Sequence, residues 1–220
     1  MQIRPLTIAG AWELTPRQFG DSRGVFLEAF KSDVLAETIG HRFDLAQMNV
    51  SVSGAGAVRG IHFADVPPGQ AKYVTCLSGA IFDVIVDIRV GSPTFGQWDS
   101  VLLDDVDRRA VYLSEGLGHG FCSLAEGSTV GYLCSSGYDP SAEHGVHPLD
   151  PTVAIEWPAT DRYGETRLRY ELSEKDTAAP SLDDAARAGL LPDYDAVDGY
   201  LGSLGTAAGP ADTSGVRETR

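Results

Sequence analysis

The sequence predicts an all-β protein, a sandwich or barrel with a few short helices. Three observations carry that prediction. Short β-rich runs follow one another at intervals of roughly 8–12 residues through the first 160 positions. Gly, Asp and Ser turns separate them. No long amphipathic helices are interleaved with the strands, which argues against a parallel α/β sheet.

Taken in order, the first helix signal is "SDVLAETIG", with Ser32 placed to cap it and Gly40 to end it. "AQMNVSVS" alternates, Val50 and Val52 on one face and Ser51 and Ser53 on the other. "YVTCLSGAIFDVIVDIRVG" is two strands broken at Gly79, the second dense in β-branched residues. "WDSVLLDD", "RAVYLSEG", "HGFCSL" and "TVGYLCSSGY" continue the series. Near the end "SLDDAARAGLLP" predicts a short helix, with Ser181 as cap, acids in the first turn and a stop at Gly189 and Pro192. Beyond about residue 203, "SLGTAAGPADTSGVRETR" has almost nothing apolar to bury. The expected organisation is one domain over 1–202, including a C-terminal helical segment, and a flexible tail over 203–220. No internal repeat is present.

The chain has 220 residues, 43% of them hydrophobic and 22% charged, enough for a sizeable core. "MQIRPLTIAGAWEL" lacks the basic and apolar regions of a signal peptide, and no apolar run approaches a membrane span. A cytoplasmic protein without membrane partners is expected. Cys76, Cys122 and Cys134 are odd in number and lack CxxC spacing, which disfavours both a disulfide framework and a zinc ribbon. The formal net charge of −14 disfavours nucleic-acid partners. Five of those net negative charges lie in residues 176–220. Any anion site must therefore be a local exception built from a few convergent cations.

Such an exception is suggested by "VRGIHFADVPPGQAKYV", which sets Arg59, His62 and Lys72 around a Pro-Pro-Gly turn. Two cations and an imidazole suit an anionic ligand with acid–base chemistry beside it. Taken alone, the same residues could be solvated loop charges and a structural histidine. Other polar residues at strand ends or turns are Arg23 and Glu28, Gln47 and Asn49, His119, then Tyr132, Tyr138 and Glu143, and finally Lys175 and Asp176.

Together these motifs resemble the dTDP-4-dehydrorhamnose 3,5-epimerase family, its actinobacterial members most closely. The likeness runs in register through "DSRGVFLE", "QMNVSVS", "VRGIHF", "PPGQAKYV", "VDIRVGSPTFGQW", "GHGF", "YLCSSGY" and "LSEKD", and extends to "GLLPDY". Several long motifs in order are specific where one alone would be weak. The resemblance implies a cupin-like jelly-roll barrel and a homodimer in which N-terminal strands cross to the partner. It implies a dTDP-sugar substrate, dTDP-4-dehydro-6-deoxyglucose, epimerised at C3 and C5 without cofactor or metal. In this pattern His62 matches the base, Asp176 the carboxylate that orients it, and Tyr132 the acid. Lys72 matches the cation beside the C4 oxygen. Arg23, Arg59 and His119 match groups near the diphosphate, and Glu28, Gln47, Asn49, Glu143 and Lys175 other binding positions. Tyr138 is placed to stack on thymine or the sugar.

Removing a C–H next to a ketone requires a base on one face and stabilisation of the enolate oxygen; inversion requires a donor on the other face. A monofunctional 3- or 5-epimerase shares His62 and Tyr132, so motifs do not separate it from the bifunctional enzyme. A metal-dependent cupin carries an H-x-H pair followed by a Glu; here His62 is followed by "FADVPPG". A non-catalytic sugar-binding jelly roll would not need His62, Tyr132 and Asp176 together. His41, His144 and His147 match no motif and read as surface or structural. Without the family pattern, Tyr132 would read as a core residue.

Overall fold

The computed structural model describes residues 1–207. Strands β1 (Gln2–Pro5), β2 (Ala11–Thr15), β3 (Gln18–Asp21) and β4 (Gly24–Leu27) lead into helix α1 (Ser32–Ile39). Then come β5 (Gln47–Ser53), β6 (Val58–Ala64), β7 (Lys72–Ser78), β8 (Ala80–Val86) and β9 (Trp98–Asp104). The strands end with β10 (Ala110–Leu113), β11 (Gly118–Ser123), β12 (Ser128–Cys134) and β13 (Glu143–Gly145). Three helices follow: α2 (Glu174–Thr177), α3 (Leu182–Arg187) and α4 (Tyr194–Ala207).

Alternation along these strands sorts side chains into layers. One sheet runs β1-β2-β10-β7-β12-β5, and a second runs β13-β6-β11-β8-β9. Every pairing within them is antiparallel. The sheets face each other across a core of Val74, Cys76, Ile81, Ile85, Val101, Phe121 and Val130. This is the jelly-roll barrel expected from the sequence. The far side of the first sheet is covered around α1 by Leu35, Phe43, Tyr73 and Tyr112. The far side of the second is covered by the C-terminal segment through Val153, Trp157, Leu168, Leu182 and Leu191. That covering layer delivers α2 to the edge of β6 and completes the site.

The core turns polar toward one mouth of the barrel. Along β7 the interior row is Cys76, Val74, Lys72; along β12 it is Val130 and then the half-buried Tyr132. On β5 the row is Ser53, Ser51, Asn49, Gln47, while Met48, Val50 and Val52 occupy the outer face. The alternation expected for this strand is therefore correct, with the apolar face turned outward.

A break in strand register sets the geometry of β6. His62 pairs with His119, yet Arg59 pairs with Phe121, so β6 carries one residue more than β11 at Gly60–Ile61. Residues 59 and 62 lie on opposite faces of a regular strand; the bulge brings both to the same cleft. Gly60 has φ +127°, and a Cβ there would lie 2.5 Å from the Gly120 Cα. Only glycines at 60 and 120 let the two backbones approach this closely.

Two expectations need correction. Ser32 is the first helical residue of α1, not its cap; Lys31 holds the cap position without a side-chain bond. Gly40 does end the helix, at φ 83° with its N–H on the Ala36 carbonyl. The compositional tail boundary also falls inside α4, which continues through Ala207; residues 208–220 lie outside the described residues. Ser181 caps α3 as expected, accepting from the Asp184 N–H at 3.1 Å. No described helix is long and apolar enough to cross a membrane.

Gly60→Ala tests the bulge. The added methyl meets backbone, not a flexible side chain, so the variant loses about 2 kcal/mol or more of stability. Urea denaturation of wild type and variant checks this, and an unchanged midpoint contradicts it.

Candidate active site

Two adjoining chambers share Arg59, His62, Tyr138 and Glu143 as a common wall. The outer chamber, about 390 Å³, is completed by Val58, Glu171, Leu172, Ser173, Lys175 and Asp176. The inner one, about 250 Å³, is completed by Asn49, Gln70, Lys72, His119, Tyr132 and Cys134. The two sheets contribute from facing sides: β6 brings Arg59 and His62, while β7, β12 and β5 bring Lys72, Tyr132 and Asn49.

His62 Nε2 lies 2.6 Å from Asp176 Oδ1. Asp176 is buried at the third position of α2, where the Ser173 hydroxyl caps the helix by accepting from the Asp176 N–H at 3.0 Å. Burial alone would push the Asp176 carboxyl up. Hydrogen bonding and charge from His62, with bonds from Ser173 and the Gly60 backbone, outweigh it and hold the carboxyl below its ordinary value. An ionised Asp176 accepts from Nε2–H, which leaves Nδ1 as the nitrogen free to take up a proton. The anchored ring is still one-third exposed, so it remains open to the chamber.

On the opposite sheet, burial pushes the Tyr132 phenol above its ordinary value, with an opposing contribution from its hydrogen bond to Ser51. The phenol therefore stays protonated at neutral pH and can serve as a donor. Burial pulls the Lys72 ammonium down, against opposing carboxylate charge on Glu143 and Asp83. A cation held in a desolvated wall interacts more strongly with a developing oxyanion than one in water does. Among the described residues, Arg59, Lys72 and Lys175 form no ion pair, although most of the protein's other arginines do. These are the local cationic exception that the overall acidity required.

Several supports are polar contacts from the rim. Gln47 donates to Asn49 at 2.7 Å and accepts the Tyr138 N–H at 3.0 Å, which ties the loop after β12 to β5. Arg59 Nε donates to the Ser53 hydroxyl at 3.1 Å. His119 is buried with Nε2 2.8 Å from Asp83 Oδ2, and its ring meets Tyr132 edge-on at 6.2 Å. Three histidines read as structural stay outside both chambers: His144 bonds Asp65, His147 accepts from the Leu149 N–H, and His41 contacts the Arg42 carbonyl. Among the described residues no group of three or more His, Cys, Asp or Glu is placed to hold a metal ion.

The sequence family described as dTDP-4-dehydrorhamnose 3,5-epimerase matches residues 5–184. The chain belongs to the dTDP-4-dehydrorhamnose 3,5-epimerase family. It is 59% identical over 194 residues to the dTDP-4-dehydrorhamnose 3-epimerase of Streptomyces niveus, covering 88% of this chain and 90% of that protein. It is 52% identical over 204 residues to the dTDP-4-dehydrorhamnose 3,5-epimerase of Mycobacterium tuberculosis, covering 93% and 98%. Among solved structures, the 3'-monoepimerase ChmJ of Streptomyces bikiniensis in complex with dTDP-quinovose superposes with a TM-score of 0.86. That match has 47% identity and covers 92% of this chain and 98% of that one.

Within this epimerase the barrel mouth gathers His62, Asp176, Lys72, Tyr132, Asn49, Arg59, His119, Tyr138, Glu143 and Lys175 into one cleft, with Gln47 bracing its rim. Arg23 and Glu28 are not brought to it. Arg23 sits at the β3–β4 turn, paired with Asp21 at 2.5 Å and 88% exposed, and Glu28 lies 3.6 Å from Lys31. Sequence reasoning passed over Ser51, Gln70, Asp83 and Glu171. Ser51 was visible as the inward partner of an alternating strand, whereas Asp83 lay hidden inside an apolar run.

Asp176→Asn removes the charge that fixes the His62 ring. The variant should fold yet lose turnover by about 10³-fold or more. Because the folded carboxyl value is depressed, its stabilisation is present above the unfolded value near 3.9 and is lost as pH falls through the folded one. The stability gap between wild type and variant should therefore be widest near neutrality and narrow below about pH 4. Urea titrations at both pH values measure it; a gap that widens in acid contradicts the assignment.

Proposed function

We propose that the protein inverts C3 and C5 of dTDP-4-dehydro-6-deoxyglucose, giving dTDP-4-dehydrorhamnose. The observation that carries this reading is the anchored His62 facing Tyr132 and Lys72 in one chamber. His62 Nδ1 takes the proton from the carbon beside the C4 ketone, and the electron pair moves onto the C4 oxygen next to Lys72. The Tyr132 hydroxyl returns a proton to the opposite face. Imidazolium and phenolate then regain their resting states by exchange with water. Arg59 and Lys175, in the outer chamber, bind the diphosphate, and Tyr138 at the shared wall stacks on the thymine or sugar. Glu143, Asn49 and Gln47 orient the remainder, and His119, held by Asp83, backs the Tyr132 ring in the inner chamber.

A second reading, a monofunctional 3-epimerase, is favoured by the likeness to the Streptomyces niveus enzyme of that name. Both are tested by incubating the purified protein with the 4-keto sugar in deuterated water. Deuterium at C3 and C5 of the product supports bifunctional epimerisation, and label at one carbon supports the second reading. Wild-type turnover by His62→Asn overturns both.

A second copy completes the site. Met48, Val50 and Val52, 58%, 56% and 64% exposed, form an apolar row on the outer face of edge strand β5, and the β3–β4 hairpin exposes Phe19, Val25 and Phe26. Such a face is stabilised by a homodimer contact. The exposed hairpin and the segment after it would carry Arg23 and Glu28 toward the partner's cleft. Val50→Asp should convert dimer to monomer in sedimentation and weaken dTDP binding at least tenfold. A dimeric variant with native affinity would refute this arrangement.

A further inference from the structure

The four inward side chains of β5 are each committed to a different task. Gln47 holds the Tyr138 backbone, Asn49 points its amide at the Cys134 sulfur at 3.9 Å, and Ser53 accepts from Arg59. Ser51 lies 3.0 Å from the Tyr132 hydroxyl. Tyr132 pairs with Asn49 in the sheet, so Ser51 is its diagonal neighbour two residues along the same face. Among the described residues Ser51 is the hydrogen-bond partner of that hydroxyl. The nearby His119 meets the phenol ring edge-on, with Nε2 already directed at Asp83.

A phenol has one proton. If it is spent on Ser51, none points at the sugar. We propose that Ser51 is a positioning residue for the acid step: its hydroxyl donates to Tyr132 Oη and so turns the phenolic proton into the inner chamber. The inference rests on the reading of Tyr132 as the acid. When the proton passes to the sugar carbon, the oxygen it leaves becomes an anion in a desolvated wall. The Ser51 bond then becomes charge-assisted, shorter and stronger. It gains strength only as the proton leaves, so it lowers the barrier to inversion without tightening substrate binding. A serine hydroxyl does this by turning its O–H, with no heavy-atom movement.

The test is a cycle of Ser51→Ala, Tyr132→Phe and the double variant, with Ser51→Thr as rescue. Each is assayed for turnover, for KM and for deuterium incorporated into recovered substrate, after dTDP binding has verified the fold. Ser51→Ala should lower kcat for inversion about 10- to 100-fold, with KM within about threefold of wild type. Exchange into recovered substrate, which needs His62 and Lys72 but no proton from Tyr132, should persist. Ser51→Thr, which keeps the hydroxyl, should recover most of the loss. In the Tyr132→Phe background Ser51→Ala should add less than about twofold, because the two act as one unit. Wild-type kcat in Ser51→Ala, or an undiminished further loss in the Tyr132→Phe background, overturns the inference while leaving Tyr132 as the acid. Wild-type inversion by Tyr132→Phe overturns the acid assignment itself, and the inference with it.

Discussion

The 2.6 Å contact between His62 and Asp176 joins two halves of the molecule, and the site depends on it. His62 comes from the barrel; Asp176 comes from a one-turn helix in the segment that packs over the back of the second sheet. Asp176 is buried, and a buried carboxylate is costly unless hydrogen bonds compensate. Here the compensating donors are the imidazole itself, the Ser173 cap and the Gly60 backbone. The same bonds that keep the carboxylate charged fix which imidazole nitrogen is free. Burial of Trp157, Leu168, Leu182 and Leu191 against the sheet is thus coupled to the orientation of the His62 imidazole.

A second constraint acts inside β6. A regular strand cannot show Arg59 and His62 to the same cleft. The extra residue at Gly60–Ile61 resolves this, and close passage of Gly60 over Gly120 permits it. The site then combines one anchored imidazole, one protonated phenol and cations left without carboxylate partners, in a protein of net charge −14. Overall acidity sets no obstacle to binding a diphosphate, because the potential that matters is local to the chambers.

Much of this was legible in the sequence. Alternation in "QMNVSVS", the Gly79 break and the regular turns carried the all-β architecture, and the ordered motifs carried the cleft residues. The rest was hidden for physical reasons. Register shifts leave no mark on composition, so nothing in the sequence shows how Arg59 and His62, three residues apart on one strand, reach the same cleft. α4 lies in a Gly- and Ala-containing stretch with weak amphipathicity; Val197 anchors its start against Gly116, and near its end Gly205 passes the carbonyl of Gly40, the residue that closes α1. Ser32 has the chemistry of a cap, but the helix begins one residue earlier than that role allows. Arg23 and Glu28 could not be placed by one chain at all, since neither reaches its own cleft.

The claim that Asp176 makes His62 Nδ1 the basic atom is tested most directly by nitrogen NMR of the His62 imidazole in the dTDP-bound protein near neutral pH. With Asp176 as the fixed acceptor, the proton on Nε2 is retained and Nδ1 is the nitrogen that gains and loses its proton with pH, a preference that Asp176→Asn abolishes. A neutral ring protonated at Nδ1 in the wild-type protein would contradict it.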